Sequence, residues 1–497
     1  MVAAHGHGDR LSALPDETLI RILSHLGSIE AARTSALSCR WSRLHAAVPV
    51  VDLVDSKTGT WCHDGPPGGR QPACFDHQVN SALLCRDPSA PIRAFRLVVC
   101  HTTTTLLDQW ISIALTSGVE ELDVKLKYRD FYDQALCPFG PYEEPSADFN
   151  LQRVHPYVRT PADLFRCRTL RRLRLTNWTL GLPPRDAPLE SLDTLFLKRI
   201  MAPQGALQRL ISLCPRLADL TLEECPSATE VTVASAHLRR FAMACCHHCR
   251  RVELRTPCLR SLRYKGGLPG DTPFFSPASH ATITAMSIDI CEHIDGKKPH
   301  ELHPITKQLM GRCTSLASLH LSLRPAMAYH SSQFTAALRG LPRLRRLELR
   351  GCMTSDHSVC SVAVLLQSTE NLEVLSLFPL PPDPPKKTPC YFGLDGGLPN
   401  GGEDDDDDVD YNGDVHVPNR LWWITAKCLE RRLRRINLIG YRGRQLERIL
   451  AKFLLSKAQA LEEFSVTSAP GRSLHKDAMA RELAYWRSNY QTRVTCA

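Results

Sequence analysis

Aromatic residues make up only 7% of this 497-residue sequence, and no stretch of about 18 residues runs without a polar interruption. The first shortage points to an aliphatic, leucine-rich interior. The second excludes a helix that crosses a membrane. The start, MVAAHGHGDR, has no apolar core of the secretory type, so no export signal is expected. G-x-S-x-G, the P-loop pattern and a G-x-G-x-x-G after a strand are all missing, so the usual hydrolase, nucleotide and dinucleotide chemistries lack their residues. The net charge of +9 is mild for this length, and aromatics do not interleave with basic residues. Both observations argue against nucleic acid as the partner.

What is present is more informative. Twenty cysteines without an export signal suit reduced thiols in the nucleus and/or cytoplasm better than a disulfide frame. The sequon at Asn177-Trp178-Thr179 is then expected to stay unused. The stretch LSALPDETLIRILSHLGSIEAARTSALSCRWSRL begins at Leu11. Pro15 fits the opening of a helix, and Asp16 and Glu17 favour its positive end. Leu19, Ile22, Leu23 and Leu26 recur at helical spacing and form one apolar stripe. Gly27 ends the helix. A second helix is expected from about Ile29 to Leu44, with Ala36, Leu37 and Trp41 on one side. So short a unit cannot hide four aliphatic side chains within itself, although burying them is worth roughly 6–12 kcal/mol. Either the rest of the chain or another protein covers them.

The segments DRLSALPDETLIRILSHL and RTSALSCRWSRLHAAVPVVDL, between Asp9 and Leu53, resemble the plant F-box. The Leu14-Pro15 pair, the IL..L stripe and the S..CRW..L segment carry the likeness. The turn LGSIEAA departs from the Pro-Thr-acidic turn of many relatives. The resemblance implies that an SKP-type adaptor covers Leu14, Pro15, Leu19, Ile22, Leu23 and Leu26, and through it a cullin–RING ubiquitin ligase holds the chain. Trp41 is expected to hold the helical unit together.

Behind it the pattern L-x-x-L-x-L recurs. Clear copies start at Leu170, Leu192, Leu217, Leu238, Leu259, Leu316, Leu344, Leu372, Leu433 and Leu461, with weaker ones at Ile92, Val119 and Ile283. Many neighbouring copies lie 21 to 28 residues apart. One such match is worthless, but a near-regular series is the mark of leucine-rich repeats. Positions 1, 4 and 6 enter a shared core and the strands stack into a parallel sheet. SSQFTAALRGLP and SVCSVAVLLQSTE read as helices on the convex side. The predicted fold is α/β: a helical F-box, then a leucine-rich-repeat solenoid with a parallel sheet bent into a horseshoe.

The expected boundaries are 8–53 for the F-box, 54–91 for a connector containing WCHDGPPGGRQPAC, and 92–378 for the repeats. Residues 379–420, rich in Pro, Gly and Asp, form a disordered loop, and 421–497 hold terminal repeats and a cap. YRDFYDQALCPFGPYEEPSADF reads as a surface insertion. LRRINLIGYRGRQLERILAKFLLSKAQALEEFSV reads as strand, loop, helix, strand, and resembles the FBD module at the C-terminus of many plant F-box/leucine-rich-repeat proteins. DAMARELAYWRSNYQTRV adds a short helix and a strand.

CCHHC at Cys245–Cys249 invites a zinc reading, but a second ligand pair is missing. Cys225, Cys258, Cys291 and His293 are the nearest further candidates, and none sits in a C-x-x-C. Cys225, Cys246 and Cys352 each lie eight residues after a repeat leucine. They are therefore read as a buried ladder at strand ends, and no metal or cofactor is assigned. DVDYNGD at Asp408 lacks the final Glu of a calcium loop, and HELH at His300–His303 has its second His one residue early. No catalytic residue is assigned.

Positions 3, 5 and 7 project from the sheet. The basic ones include Arg172, Arg174, Arg240, Arg263, Lys265, Arg346 and Arg350, with acidic Glu121, Asp123, Asp219 and Glu223 among them. Either this face is merely solvated, or Arg forks grip an acidic or phosphate-bearing segment. The expected role is substrate receptor of an SCF-type ubiquitin ligase, with an unknown target protein and no membrane. The alternatives are a receptor for a small molecule or inositol phosphate, and a repeat scaffold outside any ligase.

Overall fold

The computed structural model describes residues 11, 13–55, 74–87, 89–127, 137, 158–186, 188–268, 275–277, 282–293, 310, 313–326, 332–353, 355–380, 415–469 and 476–497. Two compact units emerge, Met1–Leu259 and Arg260–Ala497.

The first unit opens with α1 (Asp16–Leu23), α2 (Ser28–Thr34) and α3 (Cys39–Ala46). Pro15 precedes α1 as its cap, with Asp16 and Glu17 in the first turn. The expected long second helix is two helices. Ser38 is extended, and its hydroxyl accepts a hydrogen bond from the Trp41 N–H at 3.4 Å, which starts α3 afresh. Leu19, Leu23, Trp41, Leu44 and Val48 form the small core. Arg40 ties α3 to the head of α1, donating to the Leu14 carbonyl and to Asp16 Oδ1, both at 2.6 Å.

The strands of this unit are β1 (Val50–Val54), β2 (Ala94–Val99), β3 (Glu121–Leu126), β4 (Arg172–Thr176), β5 (Thr194–Lys198), β6 (Asp219–Glu223), β7 (Glu230–Val233), β8 (Arg240–Ala244) and β9 (Arg251–Leu254). The sheet runs β1-β2-β3-β4-β5-β6-β8, and β7 pairs in parallel with β9 apart from it. Register is constant: Leu173 faces Leu195, Leu195 faces Leu220, and Leu220 faces Phe241. Repeat positions 4 and 6 thus stack into continuous buried columns, as the spacing predicts. Two features escaped the sequence reading. The β7–β9 pair is one. The other is a helix, α4 (Phe75–Leu84), within the supposed connector. It packs on α5 (Thr104–Thr116), where Phe75 meets Trp110 edge-on at 6.0 Å and Asn80 accepts from Trp110 Nε1 at 2.8 Å. The last helix of the unit is α6 (Ala206–Ser212).

The second unit repeats the plan with β10 (Ser261–Gly266), β11 (Phe275–Pro277), β12 (Ala285–His293), β13 (Ser318–Ala326), β14 (Arg346–Cys352), β15 (Val374–Leu380), β16 (Arg435–Tyr441), β17 (Glu463–Ser468) and β18 (Arg493–Cys496). All but β11 follow one another in a parallel sheet. The two helical stretches read from sequence are α7 (Ser332–Arg339) and α8 (Asp356–Gln367). They are followed by α9 (Asn419–Trp422), α10 (Lys427–Arg431), α11 (Gln445–Lys457) and α12 (Lys476–Trp486). Strand, helix, strand, helix, strand (β16, α11, β17, α12, β18) is the order expected for the C-terminal module and its tail.

Most of the Pro/Gly/Asp-rich loop lies outside the described residues, as do the Asp408 motif up to Asp414, the His300–His303 motif, and the two earlier inserts apart from Cys74 and Cys137. The described edges of 379–420 are ordered. Strand β15 continues through Leu380, and Val415 and Val417 are buried, with Lys452 Nζ donating to the Val415 carbonyl at 2.7 Å. Among the described residues no helix is long and apolar enough to cross a membrane.

Candidate functional site: an apolar stripe, a strand-end ladder and an arginine groove

The F-box helices divide their apolar residues into two sets. Leu19 and Leu23 are 0% and 1% exposed, packed against Trp41 inside the helical unit. The family resemblance makes them adaptor contacts, but side chains at i and i+4 of α1 both face the small core. Leu14 is half-buried against that core, and Pro15 is exposed. Ile22 and Leu26 do face outward, at 41% and 37% exposure, and Leu11, Ile29 and Leu37 join them at 48%, 42% and 68%. Exposed apolar side chains therefore continue into α2 and the turn after it, where sequence periodicity on one helix gave no sign of them.

A recurring turn closes the strands of the first unit. Asn177, Arg199, Glu224 and Cys245 take the eighth position of successive repeats, and all have left-handed φ between 51° and 63°. Non-glycine residues pay for this backbone in strain. Asn177, Arg199 and Glu224 recover a ladder bond, each donating its N–H to the carbonyl that ends the next strand, at 2.9, 2.8 and 2.7 Å. The ninth residue then turns inward. Trp178 Nε1 donates to the Val124 carbonyl at 3.0 Å, Cys225 Sγ to Leu197 at 3.4 Å and Cys246 Sγ to Leu222 at 3.7 Å. Each donor reaches the sixth position of the repeat before it. This is the buried ladder that the offsets of Cys225 and Cys246 predicted, with Trp178 as an unforeseen member; Cys352, the third cysteine at that offset, is buried as the last residue of β14. Hydrogen bonding to Cys225 and burial hold the Cys246 thiol well above its ordinary range. Cys249, the other half of the apparent C-x-x-C, donates instead to the Arg251 carbonyl at 3.5 Å, and burial pushes its thiol up to about 11. Beside this turn, Sγ of Cys137, Sγ of Cys245 and an imidazole nitrogen of His247 lie within 4.8 Å of one another.

The polar face of the sheet is laced with ion pairs between neighbouring strands. Arg172 reaches Glu121 at 3.5 Å, Arg240 grips Asp219 with Nη2–Oδ2 at 2.6 Å, and Lys265 meets Asp289 at 3.3 Å. Arg174 lies over the Phe196 ring and Arg350 over Phe378, at 5.6 and 5.9 Å. Arg263 and Arg346 are exposed. Much of the expected positive charge is thus locally matched. One region keeps an excess. Arg171, Arg172, Arg174, Arg216, Arg239 and Arg240 line an open groove of about 620 Å³, and the acids there are Glu121, Asp193 and Asp219. The groove sits toward the strand starts. It gathers Arg171, Arg216 and Arg239, which lie outside positions 3, 5 and 7 and were missed for that reason.

Burial pushes the Glu121 carboxyl up, but its two hydrogen bonds from Arg96, at 3.0 and 3.2 Å, and the charges of Arg96, Arg172 and Arg174 outweigh it and leave it below the usual value. Asp123, buried beside it, is pushed up by desolvation. At the C-terminal module, Glu447 Oε2 accepts from the N–H groups of Arg442 and Gly443, at 2.7 and 3.0 Å, and fixes the chain entering α11. Arg448 of α11 pairs with Glu482 of α12 inside the cap, with side chains 10% and 8% exposed.

These features define a leucine-rich-repeat protein with a small helical module ahead of the repeats and a capped end. Comparison with known families agrees segment by segment. Residues 11–44 match the F-box domain, 147–276 match the LRR repeats of FBD-associated F-box protein At5g56370, and 425–466 match FBD. FBD-associated F-box protein At5g60610 of Arabidopsis thaliana is 25% identical over 478 residues, 92% of this chain and 100% of that protein. An F-box/FBD/LRR-repeat protein of the same plant is 29% identical over 266 residues, 51% of this chain and 53% of its own length. F-box/LRR-repeat protein At1g55660 is 28% identical over 264 residues, 51% of this chain and 64% of that protein. The chain carries an F-box, leucine-rich repeats and an FBD module in that order, and we place it among the plant F-box/FBD/LRR proteins.

Proposed function

We propose that this chain is the substrate-recognition subunit of an SCF-type ubiquitin ligase. The F-box docks on an SKP-type adaptor and through it on a cullin–RING scaffold, and the repeats hold a target protein. The chain performs no chemistry itself. It raises the local concentration of target lysines near the charged ubiquitin-conjugating enzyme, in the nucleus and/or cytoplasm. The observation that carries this reading is the exposure of Leu11, Ile22, Leu26, Ile29 and Leu37, five large apolar side chains, on a helical unit that matches the F-box. Co-purification with an SKP-type adaptor tests it. Wild type is captured, and an Ile22→Asp/Ile29→Asp variant with unchanged circular dichroism is not. Failure of folded wild type to bind would sink the ligase reading and leave a repeat scaffold.

The arginine groove favours a target segment rich in Asp, Glu or phosphate, because guanidinium forks match carboxylate and phosphate oxygens. The same groove is the observation behind a second reading, in which an anionic metabolite such as an inositol phosphate completes the surface. A thermal-shift panel of inositol phosphates separates the two: stabilisation by one member, lost in Arg172→Ala/Arg240→Ala, supports the metabolite, and no shift across the panel leaves the protein segment.

A further inference from the structure

We infer that Cys137, Cys245 and His247 supply three ligands of a zinc site at the strand-end turn after β8. The three donor atoms already converge within 4.8 Å. A tetrahedral zinc ion with Zn–S near 2.3 Å and Zn–N near 2.0–2.1 Å separates its ligand atoms by roughly 3.5–3.8 Å, so rotamer adjustments of about 1 Å complete the geometry. Thiolate and imidazole are the ligands zinc prefers, and carboxylates, which would suit calcium or magnesium, take no part in the cluster. Cys245 is buried, Cys137 is half-buried, and Nε2 of His247 is shielded from solvent.

The local backbone explains the choice of thiol. The ladder uses Cys246, the ninth residue of the repeat. Cys245 is the eighth and holds the left-handed turn. The corresponding residues of earlier repeats are Asn177, Arg199 and Glu224, and there Arg199 and Glu224 pair with each other. In the repeat at Leu238 the same position carries a metal-ligating group, with His247 two residues on. The apparent C-x-x-C of Cys246 and Cys249 is a distraction, because both thiols donate to backbone carbonyls. Zinc takes a fourth donor beside these three.

The test measures zinc in the full-length chain, expressed in zinc-replete medium and desalted under reducing conditions without chelator. Wild type is expected to retain about one zinc per chain. Cys137→Ser and His247→Gln, both away from the packed core, are expected to lose most of it while keeping the wild-type circular dichroism. Cys258→Ser, an exposed cysteine outside the cluster, keeps it. Cobalt(II) in place of zinc gives wild type a thiolate-to-metal charge-transfer band that Cys137→Ser weakens. Folded wild type without zinc, equal zinc in Cys137→Ser and His247→Gln, equal loss in Cys258→Ser, or a Cys137–Cys245 disulfide in place of the metal would each overturn the assignment.

Discussion

Leu19 and Ile22 lie one turn apart on α1 and are expected to fail in opposite ways. Leu19 is fully buried between Leu23, Trp41, Leu44 and Val48. Truncation to Ala removes its contacts and leaves a cavity, at a cost of about 2–5 kcal/mol. A helical unit this small has little stability to spare, so Leu19→Ala is expected to loosen all three F-box helices. Ile22 leaves 41% of its surface to solvent. Complete burial of such a side chain is worth about 1.5–3 kcal/mol, so covering the exposed part contributes about 0.6–1.2 kcal/mol. Ile22→Ala is therefore expected to weaken adaptor binding by at most roughly 3- to 8-fold and to leave the helices intact. Hydrogen exchange of the α1–α3 amides reports the fold, and titration calorimetry with the adaptor reports the affinity. The reasoning is refuted if Leu19→Ala keeps wild-type protection while losing the adaptor, or if Ile22→Ala unfolds the helices.

Three further outcomes follow from particular contacts. Trp178→Phe leaves the buried Val124 carbonyl without its indole donor, so denaturant unfolding should show a loss of about 1–3 kcal/mol, whereas a neutral result would remove Trp178 from the ladder. Arg448→Met strands Glu482 in the cap and should cost about 3–5 kcal/mol by the same assay; Arg448→Met/Glu482→Leu should recover most of it, and a double variant no better than the single would contradict the pairing. Glu121 has its carboxyl held below the ordinary range, so its stabilisation is present above the unfolded value and is lost as pH falls through the folded one. Thermal unfolding across the acid range should therefore fall less steeply in Arg96→Met than in wild type, and parallel curves would remove the Arg96 clamp as the cause.

The sequence by itself determined the repeat fold. A side chain at position 4 or 6 of a strand has one way to be buried, and ten clear copies place leucines or their equivalents there. Cysteine offsets likewise located the ladder, because the backbone turn recurs with the repeat. The C-terminal strand–helix–strand order was legible for the same reason: its apolar periods change from two to about four at the right places. Periodicity on a single helix named Leu19 and Leu23 as part of the outward stripe, yet it cannot tell which side of an apolar face meets α3. Only tertiary packing decided that, by folding Trp41 and Leu44 over them and leaving Ile22, Leu26 and Ile29 outside. Charge pairing was also decided in three dimensions, since Arg240 and Asp219 are neighbours only through strand register. The same holds for Cys137, Cys245 and His247. Local spacing offered a C-x-x-C whose thiols serve the backbone, while the fold brought in a distant cysteine that no spacing rule could supply.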